Sequence, residues 1–181
     1  MKFEELSLKD LFLVKSFSSI DERGSFVKNF HKELFIKESI GNYDFRELFY
    51  SSSNKNVIRG MHFQIPPRDH SKLVFVMEGS LLDVVIDLRR NSKTFGQHHS
   101  QKLNYEDNQA LIIPSGFAHG FLSLEDNTKM VYLVSKEHSV EHDCGIKWDS
   151  FGFSWPCKNP IISKRDNNFE KFEDILKKSY F

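Results

Sequence analysis

The sequence predicts an all-β fold, a sandwich or barrel of short strands closed by a helix near its C-terminal end. Three observations predict it. Between Gly24 and Ser135 apolar and polar residues alternate in short segments, those segments stop at turn clusters such as Pro114-Ser115-Gly116 and Glu125-Asp126-Asn127, and a helical period governs only two brief stretches.

Taken in order, Ser25 to Phe30 alternates as a strand, Lys32 to Ser39 fits a short helix, and Phe45 to Tyr50 returns to the strand pattern before Val57 to Gln64. Leu73 to Met77 and Leu82 to Leu88 flank Glu78-Gly79-Ser80, the turn chemistry of a hairpin. In its second arm Leu82, Val84, Ile86 and Leu88 share one face, while Asp83 and Asp87 share the other. Ala110 to Ile113 ends at a proline-glycine turn, and Gly120 to Leu124 with Met130 to Ser135 predicts a second hairpin around Glu125-Asp126-Asn127. Behind Asp166-Asn167-Asn168, which can cap, Phe169, Phe172, Ile175 and Leu176 recur at helical spacing, predicting an amphipathic helix over residues 167–178.

A chain of 181 residues, 39% hydrophobic and 28% charged, suits one core, so residues 1–181 are expected to form one domain. No repeat or low-complexity linker divides it. Twenty-five basic residues balance twenty-five acidic ones, which gives nucleic acid or an anionic membrane nothing to grip. Met1-Lys2-Phe3-Glu4-Glu5 opens no apolar signal region, and no stretch approaches the roughly eighteen apolar residues of a membrane span, so a cytoplasmic location is expected. Cys144 and Cys157 belong to no CxxC or Cys/His cluster and read as free thiols, with no metal site expected. The eighteen phenylalanines are spread along the chain and are read mostly as core.

The most telling stretch is Arg59-Gly60-Met61-His62-Phe63-Gln64, followed by Lys72 and by Pro114 to Gly120. It sets a histidine, a lysine and a second histidine on consecutive β-segments, an order that suits the inside of a small barrel. Arg59 and His62 are three apart, so an ideal pleat points them to opposite faces. Gly60 between them predicts an irregularity that re-aims its neighbours.

Pro114, Gly116 and His119 resemble the second motif of the cupins, but the metal-binding first motif is missing: only His62 is present, and Lys72 sits where a metal would be repelled. The wider pattern is more specific. Asp21 to Phe26, Val57 to Gln64, Lys72-Leu73-Val74, Asp83 to Arg89, Ser92 to Gly96, Ile113 to Phe121, Gly145 to Trp148, Trp155-Pro156 and Ser163 to Asp166 together resemble the dTDP-4-dehydrorhamnose 3,5-epimerase family of nucleotide-sugar epimerases, over roughly residues 20 to 170.

The resemblance implies a cupin-type double-stranded β-helix, a jelly-roll barrel with short N-terminal and C-terminal helices. It implies epimerisation of a nucleoside-diphosphate-4-keto sugar at C3 and C5, or at C3 only, without metal or other cofactor. It also implies a homodimer that exchanges N-terminal strands, residues 20–50 here. Within that family pattern His62 is the general base, Asp166 its carboxylate partner, Tyr132 the general acid on the opposite face and Lys72 the cation near the ketone oxygen. Arg23, Phe26, Arg59, His119, His138, Asp143 and Arg165 fall at ligand-contact positions, Asp143 and Arg165 replacing the usual glutamate and lysine with charge kept.

The chemistry asks for these residue types. A hydrogen beside a carbonyl is removable only if the enolate is stabilised as it forms, which needs a base and a cation, and inversion needs a proton from the other face. The absence of a GxGxxG motif agrees with a reaction that has no redox step. Singly, each residue has an ordinary structural reading: His62 as a satisfied core histidine, Lys72 as the solvent-facing start of a strand, Tyr132 as core, His119 as a brace for the Pro114–Gly116 turn. Their joint placement favours a site.

Departures from the family pattern fall before the Val57 strand, where the usual Gln-x-Asn becomes Glu47-Leu48-Phe49, and at Lys28 and His138, which stand for a glutamate and a stacking tyrosine. Read as clustered on the base-reading end, they predict a nucleotide other than thymidine: a GDP-linked 4-keto-6-deoxy-hexose or 4-keto-heptose, in surface-polysaccharide synthesis. The alternatives are dTDP-4-dehydrorhamnose 3,5-epimerase proper, or a sugar-binding cupin that is metal-dependent or non-catalytic.

Overall fold

The computed structural model describes residues 1–181. In chain order the elements are β1 (Lys2–Glu5), β2 (Phe12–Lys15), β3 (Phe17–Asp21), β4 (Gly24–Lys28), α1 (Lys32–Lys37), β5 (Glu47–Ser53), β6 (Ile58–Gln64) and β7 (Lys72–Glu78). There follow β8 (Ser80–Asp87), β9 (His98–Asn104), β10 (Gln109–Ile113), β11 (Phe117–Ser123), β12 (Thr128–Val134), β13 (Asp143–Gly145), α2 (Lys164–Asn167) and α3 (Phe172–Lys177).

Eleven of the strands form two antiparallel sheets. One has six strands in the order β1-β2-β10-β7-β12-β5, the other five in the order β13-β6-β11-β8-β9. Between them lies a core that includes Val74, Val85, Leu111, Phe121 and Met130. This is the cupin-type double-stranded β-helix expected, with short helices near both ends. Each sheet is also covered on its outer face. Phe35 of α1, fully buried edge-on to Phe3 and Phe30, seals the six-stranded sheet with Val14, Leu73 and Ile112. Val84 and Ile86 of the five-stranded sheet, with Leu88 just beyond β8, are capped by Phe151 and Ile175. Each such side chain taken fully out of water contributes about 1.5–3 kcal/mol.

Neither predicted hairpin pairs as one. β7 bonds to β10 and β12, whereas β8 bonds to β11 and β9, so Glu78-Gly79-Ser80 carries the chain from one sheet to the other. Gly79 has φ 76°, and a Cβ there would lie 2.7 Å from Thr128 Oγ1, so the corner needs glycine. Glu125-Asp126-Asn127 does the same between β11 and β12. Turn residues dictate that the chain reverses, but not which strand it then meets.

Of the helix expected over residues 167–178 only α3 forms, and the separate α2 ends at Asn167, where that helix was to begin. Ser163 caps α2 by accepting from the Asp166 amide at 3.0 Å, so Asp166 lies inside that helix and caps nothing. Between α2 and α3, Glu170 bridges to Ile146, and its carbonyl accepts from Lys147 N at 2.8 Å, which holds the segment extended.

β3 and β4 pair only with each other, and every residue of β3 is exposed. This ribbon carries Arg23 and Phe26. No helix of the chain is long and apolar enough to cross a membrane.

Candidate active site

The site begins at the irregularity of β6. Gly60 has φ 137°, and the register of β11 on β6 shifts between His119 and Phe121. A Cβ on Gly60 would lie 2.5 Å from the Gly120 Cα, so the two backbones approach more closely than side chains allow. The consequence is the one the Arg59–His62 conflict demanded: both side chains line one cavity of about 460 Å³ that opens between the sheets. Gly60→Ala is expected to cost about 2–3 kcal/mol, read as a lower urea midpoint.

From β6, His62 turns Nε2 toward α2, where Asp166 Oδ1 lies 3.0 Å away. The contact is close in distance but off the N–H axis. The other Asp166 oxygen accepts from Gly60 N at 3.0 Å. Burial pushes the Asp166 carboxyl up, but the His62 ring, the Gly60 amide and Ser163 together hold it below the usual carboxylate range. An anion therefore stands behind the imidazole on its Nε2 side, and although neither ring nitrogen makes a hydrogen bond within the chain, that carboxylate leaves Nδ1 as the nitrogen turned away from it, the arrangement of an oriented base. Phe169 packs edge-on to the same ring, centroids 5.7 Å apart.

His119 sits beside His62 in the β6–β11 register, and its Nε2 donates to Asp83 Oδ2 at 2.8 Å with both groups buried. Its role as a brace for the Pro114–Gly116 turn is thereby corrected, since its partner is on β8. Burial, outweighing the pull of Asp83, lowers the His119 pKa and keeps the ring neutral. Asp83 was missed as a site residue although its period with Asp87 is plain in the sequence. Both faces of β8 are buried, and alternation names the residues sharing a face without saying which face meets the cavity.

The opposite wall comes from the six-stranded sheet. Lys72, at the start of β7, is buried rather than solvent-facing, and its Nζ donates to the His62 carbonyl at 3.2 Å. Burial brings its pKa down to about 8, against the opposing pull of Asp143 and Asp83. Tyr132, on β12, stacks on Phe49 at 4.7 Å and 14° and meets His119 edge-on at 6.1 Å. Burial raises its phenol above the ordinary tyrosine value, so it keeps its proton until a strong base presents itself.

Asp143, Arg165 and His138 also line the cavity. Arg165 Nη2 donates to Asp143 Oδ2 at 2.6 Å, and His138 N donates to Glu47 Oε2 at 2.9 Å. Arg23 and Phe26 are not brought there. The Arg23 side chain is 86% exposed and paired with Asp21, and Phe26 is 55% exposed on the ribbon. The grouping of departures on the base-reading end also needs correction, because Phe49 stacks on Tyr132. Two further lining residues went unremarked. Gln64, two positions beyond His62 and so on its face, accepts from Ser139 N at 2.6 Å and touches His70 Nδ1 at 2.9 Å. His70 is pushed down to about 3 by burial and by Lys72.

Known proteins resemble this chain over nearly its whole length. The sequence pattern described as dTDP-4-dehydrorhamnose 3,5-epimerase matches residues 5–174. A dTDP-4-dehydrorhamnose 3,5-epimerase from Shigella flexneri is 39% identical over 157 residues, covering 85% of this chain and 86% of its own. The crystal structure of the Bacillus anthracis enzyme of that name, with TDP and PPi bound, is 33% identical and superposes with a TM-score of 0.91 over 94% of this chain and 99% of its own. A 3'-monoepimerase from Streptomyces bikiniensis in complex with dTDP-quinovose, 27% identical, superposes at 0.86 over 92% and 85%. With matches that span nearly its whole length in sequence and in fold, this chain belongs to the dTDP-4-dehydrorhamnose 3,5-epimerase family, a family of isomerases.

Proposed function

We propose that this protein epimerises a dTDP-linked 4-keto-6-deoxy sugar at C3 and C5. The observation that carries the proposal is that an oriented base, His62, and a buried acid, Tyr132, stand on opposing sheets and line the same cavity.

In each half of the reaction His62 Nδ1 takes the proton from the carbon beside the ketone, and the C–H electron pair moves into the C4 carbonyl as an enolate. The Lys72 ammonium stabilises the oxygen charge. The Tyr132 hydroxyl then gives its proton to the opposite face of the same carbon, and the phenolate and His62 return to their starting states by exchange with water. Every step is a proton transfer, so the chain's own side chains balance the reaction.

The guanosine-linked substrate expected from the departures finds no support in the comparisons, whose named relatives act on or bind dTDP compounds. Thymidine is therefore the nucleotide of this proposal, with dTDP competing more tightly than UDP or GDP. Arg59 and, across a strand-exchanged homodimer, the partner's copy of the β3–β4 ribbon would hold the diphosphate and base. The exposed Phe17, Ile20 and Phe26 of that ribbon favour such a covering.

Incubation with dTDP-4-keto-6-deoxyglucose in heavy water, followed by mass spectrometry, tests the assignment. Two deuteriums, at C3 and C5, are expected. One at C3 alone would reduce the activity to that of a monoepimerase, and none would overturn it.

Lys72 sets the pH dependence. Its charge is needed for the enolate and is lost as pH rises through about 8, so the rate should fall there. Stability should move the other way. With a folded pKa below the unfolded value, Lys72 makes the unfolded chain bind more protons above pH 8, and the fold strengthens as pH climbs toward the ordinary lysine value of 10.5. A falling rate with a steady or rising thermal midpoint between pH 8 and 10 is the expected signature. Loss of this alkaline limb in Lys72→Met would assign it.

A further inference from the structure

We propose that Phe49 is a positioning residue for the inversion step: stacked on Tyr132, it holds the phenol aimed across the barrel and keeps water off it. The enolate is then reprotonated from the far face instead of being returned to its starting configuration by His62. The inference rests on the roles given to His62 and Tyr132 above.

The placement is specific. β5 pairs with β12 so that Phe49 lies directly opposite Tyr132, and the rings lie nearly parallel, 14° apart, at 4.7 Å. On its other side Tyr132 meets the edge of His119, which is itself tied to Asp83. The phenol ring is thus held between two aromatic neighbours, Phe49 on its face and His119 at its edge. Tyr132 is 8% exposed and Phe49 is 42% exposed, so Phe49 is a layer between the acid and solvent. Both rings line the cavity wall that faces His62.

Once His62 has removed the carbon-bound hydrogen, the enolate has two fates. His62 can return a proton to the face it came from, which exchanges hydrogen with solvent without changing configuration. Tyr132 can deliver one to the other face, which inverts the centre. The division between them depends on how well the phenol is aimed, and a misplacement on the order of an ångström can cost about a hundredfold in such a transfer. Removing Phe49 leaves space beside the ring that water can fill and into which it can swing. His62, on the other sheet and fixed by Asp166, is untouched.

The test follows dTDP-4-keto-6-deoxyglucose in heavy water, measuring deuterium in recovered substrate and the yield of inverted product separately. Phe49→Ala is expected to lower inversion by about 10–100-fold while exchange into recovered substrate stays within about twofold of the parent, and Phe49→Tyr is expected to restore inversion. A parallel fall of exchange and inversion would make Phe49 merely structural and overturn the inference. So would a Phe49→Ala protein that inverts like the parent while Tyr132→Phe does not. If Tyr132→Phe itself still inverts at the parental rate, the assignment of the acid is what fails.

Discussion

His62→Ala should abolish hydrogen exchange at both C3 and C5, with a loss of about 10²–10⁴-fold, the usual contribution of a positioned general base. The expectation follows from the setting of this imidazole. Its Nε2 is 3.0 Å from a carboxylate that three partners hold anionic, and its two nearest titratable neighbours in the cavity are poor substitutes for it. His119 is spoken for by Asp83 and held neutral by burial, and Lys72, with a pKa of about 8, is mostly a cation at neutral pH. Asp166→Asn should keep the fold, because an amide oxygen can still accept from Gly60 N, yet lose most of the rate as the imidazole loses its anion. Exchange in His62→Ala equal to that of the parent, measured by mass spectrometry in heavy water, would remove the base from this account.

Tyr132→Phe should separate the two halves of the chemistry. Exchange catalysed by His62 continues, while net inversion falls by about 10²–10⁴-fold, because the far-face proton has lost its donor. The hydroxyl is the only atom removed, and the stack on Phe49 remains possible for phenylalanine, so the barrel should unfold at nearly the parental temperature. Epimeric product is best followed by proton NMR coupling constants, which read configuration directly. Because burial raises the phenol pKa, the parent's inversion should show no acidic or alkaline limb from Tyr132 across the neutral range.

Much of this site could be read from residue order. The conflict between Arg59 and His62 on one strand announces the distortion at Gly60 from residue order alone, because a period of two leaves no other way to bring both to one cavity. Lys72, His62 and His119 were legible as a group because they stand on consecutive short β-segments, and the family resemblance named the first two as cation and base.

Sheet assignment was not legible. Glu78-Gly79-Ser80 and Glu125-Asp126-Asn127 have ordinary hairpin chemistry, and only the long-range pairing of β7 with β10 and of β8 with β11 turns them into corners. Asp83 was hidden because β8 is buried on both faces, and alternation says nothing about which side is hollow. Phe49 was hidden because its place on β5 suggested contact with a base, whereas the β5–β12 register sets it against the phenol. Arg23 and Phe26 lie on a ribbon that pairs with no other strand of its own chain, so no strand register within a single copy carries them to the cavity.

In the mechanism proposed above, the partnership of His62 with α2 also fixes when this protein can first work. Asp166 follows Gly60 by 106 positions, and a ribosome delivers them in that order. A nascent barrel whose two sheets have already closed still has a bare imidazole, and it becomes competent only when the stretch around Ser163 has emerged and docked. Polypeptides cut short before that point would lack Arg165 of the cavity wall as well as the carboxylate behind the imidazole.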